Sequence, residues 1–133
     1  MFLSDLTEKE KEVFLGLAYL AMESSGRIEE SEKRVFEAYK YECKQPNYKY
    51  EGTPLDILLE NLRHSPLSSK KIILMELCGI WAADGVWDEG EYAMLYKVAH
   101  VFGIPETEAN RIKRCSKEIG DLIQEGISLI YRS

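Results

Sequence analysis

The residues best placed to do chemistry are carboxylates gathered at one turn. Asp84, Asp88 and Glu91 lie in the run Ala82-Ala83-Asp84-Gly85-Val86-Trp87-Asp88-Glu89-Gly90-Glu91. A turn at Gly85 can fold the first acid back toward the other two. Clustered carboxylate oxygens are what hard cations such as calcium, magnesium or manganese coordinate. The same residues have a plainer use. Asp88-x-x-Glu91 is an aspartate N-cap with a glutamate three residues on, which satisfies the loose amides of a helix start. Acids in a first helical turn also suit the macrodipole. On the residues alone, both uses stay open.

A second stretch has the same grammar. Shifting the chain by 59 residues sets Gly26 on Gly85, Ile28 on Trp87, Glu29 on Asp88, Glu30 on Glu89 and Glu32 on Glu91. Val13-Phe14-Leu15 falls on Ile72-Ile73-Leu74, and Val35-Phe36 on Met94-Leu95. Each half reads as apolar helix, glycine turn, acids, amphipathic helix. Two such hairpins can bury their apolar faces against each other. Neither turn is a competent EF-hand. With Gly85 on that motif's invariant glycine, Asp84 and Glu91 take ligand positions, but Ile80 and Ala82 fall on the first two, as Ala21 and Glu23 do in the first half. A metal would need ligands from both hairpins or from water.

Other chemistry is thinly supported. Cys43, Cys78 and Cys115 form no metal or disulfide spacing and read as buried reduced thiols. His64 and His100 have no nucleophile motif beside them. Phosphate-binding glycine loops are missing, and Glu29-Glu30 or Asp88-Glu89 as an acid/base pair has no pocket signature behind it. Tyr39, Tyr41, Tyr48 and Tyr50 interleave with lysines, yet Glu42 and Glu51 sit among them, so packing is expected rather than base stacking. Arg111, Lys113, Arg114 and Lys117 read as a solvated helix face.

The elements that position the acidic turns follow from periodicity and caps. Thr7-x-x-Glu10 is a capping box ahead of Val13, Phe14, Leu17, Leu20 and Ala21, which share one helix face. Gly26 takes the left-handed position after that helix. A second helix from about Glu29 carries Val35, Phe36, Tyr39 and Cys43, and Pro46 ends it. Thr53-Pro54 starts a short helix running to about Arg63, and Ser65-Pro66 starts the next. That one is apolar nearly all round, from Ile72 to Trp81, and should be the central buried helix. Asp88 caps a helix with Met94, Leu95, Val98, Ala99 and Phe102 inward, and Gly103-Ile104-Pro105 stops it. Two more helices should follow, the last burying Ile119, Leu122, Ile123, Ile127 and Ile130. The expected fold is all-α: one domain over residues 1–133, about seven helices, with hairpin halves at roughly 8–45 and 66–103 followed by two C-terminal helices.

Bulk properties narrow the partners. A chain of 133 residues with 45% hydrophobic and 30% charged content can bury a real core. Its net charge of −6 disfavours nucleic acid. Met-Phe-Leu-Ser-Asp turns charged at once, unlike a signal peptide, and the longest apolar run, Ile72 to Met75, is far short of a membrane span. A cytoplasmic protein with a protein partner and no membrane is expected.

The two turns together resemble the TerB-like family, named for a tellurite-resistance protein and related to a domain of some DnaJ-type co-chaperones. The residues that carry the resemblance are Ile80 through Glu91, Leu17-Ala18-Tyr19-Leu20-Ala21, Gly26 through Glu32, and Phe102-Gly103-Ile104-Pro105. They span roughly residues 8–130. Ser24-Ser25-Gly26 departs from the family's more usual Ala-Asp-Gly. The resemblance implies an all-α fold, no enzymatic activity, and a divalent cation (calcium, magnesium, manganese or zinc) at Asp84, Asp88 and Glu91, with Glu29 and Glu32 as counterparts. A role in stress response or regulation follows from it; a tellurite phenotype does not transfer with a fold. The alternative is a metal-free helical interaction scaffold whose acids are caps.

Overall fold

A threonine and a glutamate start the first long helix, α1 (Glu8–Glu23). Thr7 Oγ1 accepts from Glu10 N at 3.1 Å, and Thr7 N donates to Glu10 Oε1 at 2.8 Å. Burial works against the Glu10 charge, but hydrogen bonds from Thr7, Ser65 and Ser69 outweigh it and hold the carboxyl below its ordinary pKa. The computed structural model describes residues 1–83, 85 and 87–132. Among these, α1 is followed by α2 (Glu30–Glu42), α3 (Leu55–Glu60), α4 (Leu67–Trp81), α5 (Glu89–Phe102) and α6 (Glu106–Tyr131), with a 3-10 turn at Leu3–Asp5 ahead of α1. The described residues include no strand.

The apolar helix does take the centre. On α4, Ile73, Leu74, Leu77, Cys78, Ile80 and Trp81 have no exposed surface. They pack against α1, α2, α5 and α6. Phe14, Leu15 and Leu17 on α1 and Leu95 and Val98 on α5 meet them, as the helical spacing requires. Pro54 and Pro66 occupy the cap positions of α3 and α4, one residue later than a Thr53 or Ser65 cap. Below α4, Met1 and the 3-10 turn are tied down by two acids: the α-ammonium meets Glu42 Oε1 at 2.9 Å and Glu76 Oε2 at 2.6 Å. Burial opposes that charge, yet the two carboxylates win and raise its pKa.

One close approach fixes the α2–α4 crossing. The buried Tyr39 hydroxyl donates to the Glu76 carbonyl at 2.6 Å and lies where a Cβ on Gly79 would go. Gly79→Ala should therefore cost about 1–3 kcal/mol by overpacking. In a Tyr39→Phe background the nearest ring atom would be Cζ, at an ordinary 3.7 Å. There the same change should be close to neutral, because alanine favours helix over glycine by about 1 kcal/mol. Urea melts of the two single variants and the double variant test this; additive losses would refute the contact.

The chain departs from expectation at its C-terminal end. Instead of two C-terminal helices there is one, α6, of 26 residues, so the described residues hold six α-helices and not seven. The reason is phase. Ile112, Ile119, Ile123 and Ile130 fall on one helical stripe without a slip, and after Pro105 nothing forces a break. Burial differs too. Ile119 is half-buried, whereas Leu122, Ile123, Ile127 and Ile130 are exposed. At 1.5 Å per residue α6 is about 39 Å long against about 22 Å for the 15-residue α4 beneath it, so its far half runs past the core. Cys115, expected to be buried, is exposed on α6, whereas Cys43 and Cys78 are buried.

Candidate functional site

The two acidic turns sit side by side. Trp81, at the end of α4, sends its indole Nε1–H across to the end of α1, to Ala21 O at 3.1 Å and Ser24 Oγ at 3.2 Å. Ser24 Oγ itself donates to Ala21 O at 2.7 Å. From the other side, Gly90 in the first turn of α5 rests against the Ser24 carbonyl, in space that any Cβ would fill. Gly26 and Gly85, at φ +84° and +78°, reverse the chain in matching left-handed conformations. Ser24 and Ser25 each have a local use: Ser24 anchors Trp81, and Ser25 Oγ closes its own turn on Arg27 O at 2.7 Å.

The carboxylates serve as caps. Asp88 Oδ1 accepts from Glu91 N at 3.0 Å, and Asp88 N donates to Glu91 Oε1 at 3.0 Å. In the first turn Glu29 N donates to Glu32 Oε1 at 2.9 Å, and Glu29 Oε1 accepts from Arg27 Nε at 2.6 Å. Glu32 and Glu91 are each 1% exposed, so both turns end on a carboxylate withdrawn from water. Among the described residues, no three His, Cys, Asp or Glu side chains gather as a metal's ligand set. Asp84 lies outside the described residues. The described acids, Glu29, Glu32, Asp88 and Glu91, thus form the capping boxes of α2 and α5.

An aromatic ladder runs out from the same junction. Trp81 meets Trp87 at 5.4 Å, Trp87 meets Tyr92 at 5.1 Å, and Tyr92 stacks on Tyr96 at 6.4 Å. Lys113 of α6 lies over two of the rings, its Nζ 4.7 Å from the centre of Trp87 and 5.3 Å from that of Tyr92. Lys113 was expected on a solvated basic face; instead it is half-buried and ties α6 to the second turn. Its neighbours Arg114 and Lys117 do face solvent and pair with Glu118 and Asp121. The signals that could have found the junction were Trp81, whose indole needs an acceptor when buried, and Gly90, a poor helix former placed inside a helix.

Burial pushes the Cys43 thiol up to about 11 and Cys78 to about 12, so neither is a thiolate at neutral pH. His64 and His100 are exposed. Tyr39 is core, Tyr50 stacks on Tyr19 at 4.6 Å and Tyr48 packs on Phe36, as expected, whereas Tyr41, expected to pack with them, is 71% exposed. No described helix is long and apolar enough to cross a membrane. Compared with protein-family models, curated proteins and solved structures, the chain matches none of them.

Proposed function

We propose that this chain is a non-enzymatic helical interaction module of TerB-like architecture, with the paired acidic turns acting as caps that join two hairpins. The observation that carries the interaction reading is the far half of α6. Leu122 is 66% exposed, Leu129 70% and Ile130 72%, on a helix whose opposite side is charged. An apolar stripe of that extent on a small protein marks a contact surface. The TerB-like reading draws support from register. A shift of 59 residues takes Glu8, the start of α1, to Leu67, the start of α4, and Glu30, the start of α2, to Glu89, the start of α5.

A second reading, a divalent cation held between the turns, is favoured by the burial of two carboxylates there, Glu32 and Glu91. Calorimetric titration of chelator-stripped protein with calcium, magnesium, manganese and zinc separates the two. The cap reading expects no saturable heat. It also expects Asp88→Ala to lose about 1 kcal/mol of stability whether or not a cation is present. Saturable binding that disappears in Asp88→Ala or Glu91→Gln would replace it with the cation reading, because a ligand of the native state alone must raise the melting temperature.

A further inference from the structure

We infer that the exposed half of α6 pairs antiparallel with α6 of a second copy of this chain, crossing at Gly126; this rests on the interaction reading of that helix. The stripe is organised for one long partner. At 100° per residue, Ile119, Ile123, Gly126 and Ile130 run down its centre, flanked by Leu122 and Leu129 on one side and Ile127 on the other. The exposed parts of Leu122, Ile123, Ile127, Leu129 and Ile130 come to roughly 550 Å², and Met1 and Phe2 at the stripe's root bring the apolar surface to roughly 700 Å², within the ~600–1,000 Å² per partner of specific protein interfaces. A second copy offers the same area in the same shape, as a twofold interface requires.

Gly126 is the independent clue. It sits inside α6, five residues before Tyr131 and on the centre line of the stripe, where glycine weakens a helix, and a Cβ there would meet nothing within 4 Å in this chain. The fold asks for glycine neither here nor at Gly120, six residues earlier, but of the two only Gly126 lies on the centre of the apolar stripe, where a crossing helix backbone would need the space. The antiparallel sense follows from the root of the stripe. There Met1 and Phe2, 54% and 37% exposed, share a groove with Ile119 and Ile123. Crossing at Gly126 lays Ile130 of each copy against Leu122 of the other and carries the helix tip over that groove. A parallel pair would set tip against tip and leave the groove open. Charge argues against lipid as the occupant. From Lys117 to Arg132 the helix carries Glu118, Asp121 and Glu125 against two bases, whereas helices that lie on membranes are rich in lysine and arginine.

The test is sedimentation equilibrium of the full chain across micromolar to millimolar concentration, with three companions. Wild type should be dimeric at the upper end. Leu122→Glu/Ile130→Glu should be monomeric with unchanged helix content. Gly126→Ala should weaken the dimer at least tenfold while leaving the monomer folded. Under mild oxidation no Cys115–Cys115 disulfide should form, because the crossing holds the two thiols about 33 Å apart along the helices. A wild-type monomer at every concentration, a dimer indifferent to Gly126→Ala, or a rapid Cys115 cross-link would each overturn the inference. So would partition of the wild-type chain into neutral phosphatidylcholine vesicles in place of dimerisation. Dye binding separates that failure from failure of the interaction reading. A monomer whose α6 binds an apolar dye, lost in Leu122→Glu/Ile130→Glu, keeps the contact surface and loses only the second copy. A monomer that binds no dye loses both.

Discussion

Trp81→Ala should remove about 3–5 kcal/mol of folding free energy, enough to leave a domain of this size barely folded at room temperature. Trp81 is wholly buried at the end of the central helix, so truncation opens a cavity that α1, α4 and α5 cannot easily close. It also strips the Ala21 carbonyl and the Ser24 hydroxyl of the donor that crosses between hairpins. Trp81→Phe separates the two contributions. Phenylalanine keeps most of the volume and loses the N–H; Ala21 O keeps Ser24 Oγ and Ser24 N as donors, so the cost should be about 0.5–1.5 kcal/mol, the net worth of one hydrogen bond. Urea denaturation of both variants, followed by circular dichroism, gives the numbers. If Trp81→Phe matches wild type, the indole hydrogen bond does not hold the hairpins together.

Gly90→Ala is the second large effect, and its sign runs against helix propensity. In an exposed helix the change would gain about 1 kcal/mol. Here the new methyl group would enter the Ser24 carbonyl, a backbone atom that cannot rotate away, and would lie 3.0 Å from its carbonyl carbon. The turns must separate, and the expected result is a net loss of about 2–3 kcal/mol. Gly120→Ala is the control, because a Cβ there meets nothing within 4 Å, and it should hold or raise the melting temperature. Two glycine variants moving in opposite directions would establish the contact between turns; equal shifts would refute it.

Much of the fold was legible because the first five helices announce their ends. Thr7-x-x-Glu10 and Asp88-x-x-Glu91 are caps made by side chains within four residues of one another, and local chemistry is what a single sequence carries best. The buried face of α5 could be read for the same reason: Met94, Leu95, Val98, Ala99 and Phe102 repeat at helical spacing and are all buried. The far half of α6 was misread because periodicity shows that a helix has an apolar face without showing what covers it. Ile123 and Ile130 have the spacing of core residues and lie beyond the core. The acidic turns were half legible. Their capping chemistry is local, whereas the meeting of Ser24 with Gly90, and of Trp81 with Ala21, joins residues about 60 apart and leaves only an indole and an ill-placed glycine as traces.

The chain's two tryptophans both stand at the junction of the hairpins, their rings 5.4 Å apart. Tryptophan fluorescence, excited at wavelengths where the eight tyrosines do not absorb, therefore reports on one place in the molecule, with no dye or label attached. At that separation the strong far-ultraviolet indole transitions couple, so the pair should add an exciton couplet to the far-ultraviolet dichroism that vanishes when the turns part. An opening of the junction that leaves every helix intact would keep the helix bands and show in the tryptophan signals alone.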